Sequence, residues 1–283
     1  PRKEFRVWSS LKYYNQYGGF DNDGRDYVIT NTNTPMPWVN VIANEQHFGC
    51  IVSATMAGFT FAYNAQQFKL TGWSNDIVRD NASEMLLLNR QQFLPATARH
   101  SQGWSAFDAE YDNLTVNVRL FIAVDKMEKY YQIKLKNRLA SPQVIQLDMV
   151  YKLVLGDNEE RTARYLYSEW DKSSNPLRVR NVYHPTYSDK VVLLSSTEPL
   201  TDISLAYPNR KRLGFSLTLA PDGEKELAFV ISVDSTHYTP PTITALNTEF
   251  QRVVDYWNHQ LGTIQVETPD RSLDYMLNRW YLY

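Results

Sequence analysis

Leu114-Thr115-Val116-Asn117-Val118-Arg119-Leu120-Phe121-Ile122 alternates at period two. Leu114, Val116, Val118, Leu120 and Ile122 fall on one face, and Thr115, Asn117, Arg119 and Phe121 on the other, the pattern of a half-buried β-strand. The same rhythm extends on either side. Tyr131, Ile133 and Leu135 alternate, as do Ile145, Leu147, Met149, Tyr151 and Leu153. Leu213, Phe215, Leu217 and Leu219 form another strand, and Leu227, Phe229, Ile231 and Val233 follow the turn Pro221-Asp222-Gly223, whose residues suit a hairpin connection. Further turn signals stand at Asp23-Gly24, Gly156-Asp157-Asn158 and Ser173-Ser174-Asn175-Pro176. Period two dominates from Asp26 to Val233, and no βαβ spacing appears. Strands with one apolar and one mixed face are best accommodated by two antiparallel sheets packed face to face, an all-β sandwich.

The pattern switches after Pro240-Pro241. Ile243, Leu246, Phe250, Val253, Trp257 and Leu261 recur at steps of three and four, one stripe of an amphipathic helix that Thr242 can cap and Gly262 can end. Thr268-Pro269-Asp270 reads as a second helix start, followed by the apolar stripe Leu273, Met276, Leu277 and Trp280. This stripe has no evident partner in the sandwich and is expected to be exposed. The helix reaches Tyr283 without a stop signal, as expected of a chain cut at the entry to a helical domain. The expected division is a β-sandwich over residues 1–240 and linker helices over 241–283.

Composition narrows the function. Over 283 residues, 29 cations face 31 anions, so no basic field is available for nucleic acid or an anionic membrane. No apolar run approaches the ~20 residues of a membrane span. The single Cys50, flanked by strand-like sequence, reads as a small core residue. Aromatic residues reach 13%, including 19 Tyr and 7 Trp, enough to place rings at the surface. Exposed rings suit the C–H faces of sugars, although two sheets and an interdomain face would also absorb them.

The five histidines stand alone, and no metal-ligand spacing, phosphate-binding glycine loop or nucleophile elbow occurs. No metal, cofactor or catalytic residue is therefore assigned. A glycosidase carboxylate pair is defined by separation in space, which strand spacing does not give. Two polar clusters stand out. Trp73-Ser74-Asn75-Asp76 brings a ring, a hydroxyl, an amide and a carboxylate into one loop, an arrangement that can hold a sugar. A turn in which Asn and Asp bond their own backbone explains the same residues. Arg99-His100-Ser101-Gln102-Gly103-Trp104 reads as a loop between strands that combines donors with a ring and a glycine for close approach; a solvated loop is the alternative. The candidate substrate-binding residues are Arg99, His100, Gln102, Trp104, Trp73, Asn75 and Asp76.

The run YGGFDNDGRDYVITNTNTPMPWVNVIANEQHFGCIVS from Tyr17 to Ser53 resembles the N-terminal signature of glycoside hydrolase family ninety-four, the inverting glycoside phosphorylases. The likeness continues through AGFTFAYNAQQFKLTGWSND (Ala57 to Asp76), RHSQGW (Arg99 to Trp104), LVLGDNEERTARYLYSEWD (Leu153 to Asp171) and TPDRSLDYMLNRWYLY (Thr268 to Tyr283). The Trp-Ser-Asn-Asp element points toward the members acting on β-1,2-glucans.

The resemblance implies a galactose-mutarotase-like super-sandwich, then linker helices, then an (α/α)6 barrel. It implies a reaction in which an Asp of the barrel protonates the glycosidic oxygen of a β-glucan oligosaccharide while inorganic phosphate attacks the anomeric carbon, giving α-glucose 1-phosphate with inversion. The sandwich would shape the acceptor side of the pocket and form a homodimer contact. A non-catalytic carbohydrate-binding or assembly domain of a cyclic β-1,2-glucan synthase-like protein is the competing reading, and a cytoplasmic location is expected.

Overall fold

The computed structural model describes residues 2–3, 10–73, 82–170, 175–205, 209–233 and 238–282. Among these, the strands form two antiparallel sheets, one of eleven strands and one of nine. The larger sheet starts at the Leu166–Trp170 strand. It passes through Glu224–Val233, Glu128–Asn137, Leu114–Ile122, Trp104–Tyr111, Thr97–Ser101 and Asp26–Ile29, and ends at Gly18–Asp21. The smaller sheet is centred on the long Gln143–Gly156 strand, which pairs with Arg210–Leu219, Glu84–Leu88 and Lys69–Thr71.

The alternating residues face each other across the interior. Leu114, Val116, Val118, Leu120 and Ile122 are all buried, as are Ile145, Leu147, Met149, Tyr151 and Leu153 from the opposite sheet. Leu213, Phe215 and Leu219 are buried, while Leu217 is half-buried at the margin. Cys50 is a core residue, and burial pushes its thiol up to about 11, which keeps it protonated and unreactive.

One pair of charges crosses this interior. Glu84 of the smaller sheet and Lys129 of the larger one are both buried. Thr60 and Thr71 donate their hydroxyls to Glu84 Oε1 at 2.5 and 2.6 Å, and the Tyr131 hydroxyl donates to Oε2. Burial alone would raise the Glu84 carboxyl; the Lys129 ammonium and these donors hold it below its usual value.

The outward face of the Leu114–Ile122 strand breaks the simple alternation, because Phe121 is buried as well. The cause is the helix Ile243–Gly262, capped by the Thr242 hydroxyl and laid across the outside of the larger sheet. Its Leu246 and Val253 make a second apolar cluster with Phe121, Tyr130, Ala228 and Val230. Phe250 meets Phe121 edge-on at 5.3 Å, and the Arg119 guanidinium lies 3.9 Å over the Phe250 ring. The helical stripe is thus spent on the sandwich itself.

The second helix starts later than its sequence suggests. Asp270, not Thr268, is the cap and accepts from Ser272 N; Thr268 instead donates to Asp274 Oδ1 at 2.8 Å. After Arg271–Tyr275 the backbone widens into a π-turn over Met276–Trp280. Leu273, Met276 and Leu277 are exposed at 45%, 43% and 40%. Trp280 departs from the expected stripe. Its Nε1 donates to the Gly24 carbonyl at 2.7 Å, and its ring packs edge-on against Phe20 and Tyr27. Tyr275 docks beside it over Gly24, whose φ of +81° and lack of Cβ permit the approach.

Candidate functional site

The Arg99–Trp104 segment is not a loop. Thr97–Ser101 is a strand that pairs with Asp26–Ile29 on one side and with Trp104–Tyr111 on the other. Ser101 faces Trp104 across a turn of two residues, Gln102 and Gly103. Gly103 has a φ of +82°, which glycine supplies without strain. A Cβ there would lie 2.2 Å from Trp257 Nε1, so the glycine also lets the Ile243–Gly262 helix close over the hairpin.

Within this hairpin the polar side chains are largely committed. Arg99 donates to Asp26 Oδ2 at 2.7 Å and to Asp21 Oδ2 at 2.8 Å, which ties the hairpin to the two neighbouring strands. Although burial opposes its charge, the two carboxylates hold the Arg99 guanidinium above its ordinary value. His100 is buried. Asn40 Nδ2 donates to the carbonyls of Ser101 and Trp104 and to Ser105 Oγ at 3.1 Å. The Ser105 hydroxyl in turn shares a hydrogen bond with His100 Nδ1 at 2.9 Å. Burial pulls the imidazole down to about 4, with a backbone contact from Trp38 opposing. Gln102 is also buried, and its Nε2 donates to the Arg279 carbonyl at 3.2 Å, fastening the terminal helix. Trp104 is half-buried and meets Phe250 edge-on at 5.5 Å.

A cleft of about 410 Å³ opens where this hairpin, the Ile243–Gly262 helix and the terminal helix converge. Arg99, Gln102 and Trp104 line it, so three of the sequence candidates share one site. His100 stays behind the sheet as a support. Trp73 is 54% exposed after the Lys69–Thr71 strand of the smaller sheet and is not among the cleft residues. Asn75 and Asp76 lie outside the described residues. Sequence reasoning missed Arg25, Arg119, Phe250, Trp257 and Arg279, which also line the cleft. Phe250 and Trp257 were legible as helix stripe but not as cleft wall, because only the docked helix turns them toward the hairpin. Among the described residues no group of His, Cys, Asp and Glu could hold a metal ion, and no helix is long and apolar enough to cross a membrane.

Two large antiparallel sheets packed face to face, with a helix clamped across the outer face of one, define the β-supersandwich class. The family model described as "Glycosyl hydrolase 94, supersandwich domain" matches residues 25–206, and the chain belongs to that family. Cyclic beta-(1,2)-glucan synthase NdvB of Rhizobium meliloti (strain 1021) is 27% identical over 96% of this chain, which spans 12% of that protein. An N,N'-diacetylchitobiose phosphorylase of Vibrio furnissii is 19% identical over 95% of the chain, here 40% of the relative's length. Among solved structures, a galactose mutarotase-like protein from Lactobacillus casei ATCC 334 aligns with 70% of this chain and 100% of its own, at a TM-score of 0.45 and 10% identity.

Proposed function

We propose that the chain is the N-terminal carbohydrate-binding and structural domain of a glycoside phosphorylase that cleaves a β-glucan, of β-1,2 linkage, with inorganic phosphate. The family match over residues 25–206 carries this reading. In it, the described residues hold no acid for bond cleavage, and the parent protein supplies one from an (α/α)6 barrel that follows the linker helices. Arg99, Gln102 and Trp104 serve the acceptor side of the pocket, and Trp73, Asn75 and Asp76 form a second sugar contact. The parent is a cytoplasmic homodimer. A second reading, an assembly or binding domain of a cyclic β-1,2-glucan synthase-like protein, is favoured by the 27% identity to such a synthase along nearly the whole chain.

The test compares the chain alone with the full-length protein it comes from. The chain alone should leave every β-glucan intact. The full-length protein should consume phosphate and release glucose 1-phosphate with sophorose-type sugars, and much less with cellobiose-type sugars. Phosphorolysis by the chain alone would sink the domain assignment. A full-length protein that transfers glucosyl units but never consumes phosphate would favour the synthase reading.

A further inference from the structure

The charges lining the cleft do not balance. Four guanidiniums, those of Arg25, Arg99, Arg119 and Arg279, border it, against the single carboxylate of Asp26. Arg99 is neutralised by Asp26 and by Asp21 behind it. Arg119 spends its charge on the Phe250 ring and a long contact to Gln132, with Glu226 nearby. Arg25 and Arg279 remain. Neither guanidinium makes an ion pair or hydrogen bond among the described residues. Arg271, about two helical turns earlier, contrasts with them, since it is held by both Asp23 and Asp274.

Two like charges have been brought together rather than spread apart. Arg25 is exposed, Arg279 half-buried, and both line this cleft and the hollow beside it. Burial, with the Arg25 charge added and the Asp26 carboxylate opposing, pulls the Arg279 guanidinium below its ordinary value. The surrounding structure fixes both backbones. The Arg25 carbonyl accepts from the Ser101 hydroxyl, and the Arg279 carbonyl accepts from Gln102. Repulsion held in place by an unrelated scaffold is relieved by an anion between the two forks, and guanidinium geometry suits a carboxylate or phosphate bidentately. The rest of the cleft provides the ring of Trp104 and the amides of Gln251 and Asn258, a wall suited to a pyranose.

We propose that Arg25 and Arg279 form an anion-binding pair at the mouth of this cleft, and that its ligand is an anionic saccharide, a pyranose bearing a phosphate or a carboxylate. The charged group sits between the two guanidiniums, and the ring lies inward against Trp104. This reading does not depend on the phosphorylase assignment, because it requires only that the cleft bind, not that any bond be cleaved.

The experiment is calorimetric titration of the chain at low ionic strength with glucose 6-phosphate, glucuronate, inorganic phosphate and glucose. Glucose 6-phosphate or glucuronate should bind at least tenfold more tightly than glucose, and the one that binds more tightly identifies the anion. Binding should weaken with added salt. Arg25→Gln and Arg279→Gln should each reduce affinity about tenfold or more, whereas Arg164→Gln on a remote surface should leave it unchanged. Arg25 is exposed, so Arg25→Gln keeps the test clean if Arg279→Gln unfolds the helix. Equal binding of glucose, absence of binding by both charged sugars, or affinity indifferent to Arg25→Gln would overturn the proposal. Inorganic phosphate binding as tightly as both sugars would remove the saccharide from it.

Discussion

Lys129 Nζ lies 2.6 Å from Glu84 Oε2 with both side chains sealed between the sheets, so one ion pair joins the two layers of the sandwich. Removing one partner strands the other's charge in the interior. Lys129→Met should therefore destabilise the chain by about 3–5 kcal/mol, and Glu84→Leu/Lys129→Met together by much less than the sum of the single changes. The Glu84 carboxyl is held below its ordinary value of 4.5. Its contribution is accordingly complete above that pH and is lost as the pH falls through the lower folded-state value. Denaturant unfolding of the three variants below and above pH 4.5 checks both statements. Additive losses would show that the pair does not act as a unit.

His100 gives a second, separate acid limb. Its imidazole is ordinarily near 6.5 but is pulled down to about 4 by burial. The unfolded chain therefore binds a proton that the folded chain refuses. Stability should fall as the pH drops from 6.5 toward 4 and level off below it, by about 3 kcal/mol in all. His100→Gln should flatten this limb while leaving the one from Glu84 in place. A wild-type profile flat between pH 7 and 5 would show that His100 protonates without strain.

Gly103 is the point where hairpin and helix meet. Alanine there would need a left-handed φ of +82° and would place its Cβ 2.3 Å from Trp257 Cδ1 and 2.9 Å from Val253 Cγ1. Gly103→Ala should reduce stability by about 2–3 kcal/mol and expose the Ile243–Gly262 helix to proteolysis. Adding Trp257→Ala should restore part of the loss, because it removes the closest clash and leaves the Val253 contact and the backbone strain. A G103A chain that is fully stable and protease-resistant would mean the helix is not held against this turn.

Strand alternation made the sandwich legible because burial on one face imposes period two, as in Leu114 to Ile122. The same logic failed at Phe121, where a distant helix covers the outer face, and sequence spacing carries no record of that contact. The stripe at Leu273, Met276, Leu277 and Trp280 shows the complementary limit. Period 3.6 groups these residues together, yet a π-turn rotates Trp280 onto Phe20 and Tyr27 and leaves the other three exposed. Arg99 to Trp104 was legible as chemistry but not as geometry. Polar residues in a row read as loop, while here Asp21, Asp26, Ser105 and the Arg279 carbonyl absorb them within a strand and its turn. Arg25 and Arg279 lie far apart in sequence, and no spacing rule pairs them.

Trp104 is half-buried against Phe250 and also lines the cleft, and the proposed function makes it the hairpin's ring toward the acceptor sugar. In a phosphorylase of the proposed kind, contacts to the acceptor are present before and during bond cleavage, so their loss weakens binding more than it slows chemistry. Losing one stacking or charged hydrogen-bonding contact costs roughly 1–3 kcal/mol. Trp104→Ala should therefore raise the acceptor KM by about one or two decades with a smaller change in kcat. The packing on Phe250 adds a structural loss that must be separated from this effect. Trp104→Phe preserves an aromatic edge against Phe250 and should restore stability, while its smaller face should restore only part of the acceptor affinity. Steady-state kinetics in the synthetic direction, alongside thermal unfolding of both variants, distinguishes the two roles. If Trp104→Ala leaves acceptor kinetics unchanged in a protein that remains folded, the ring is a support for the linker helix and touches no sugar.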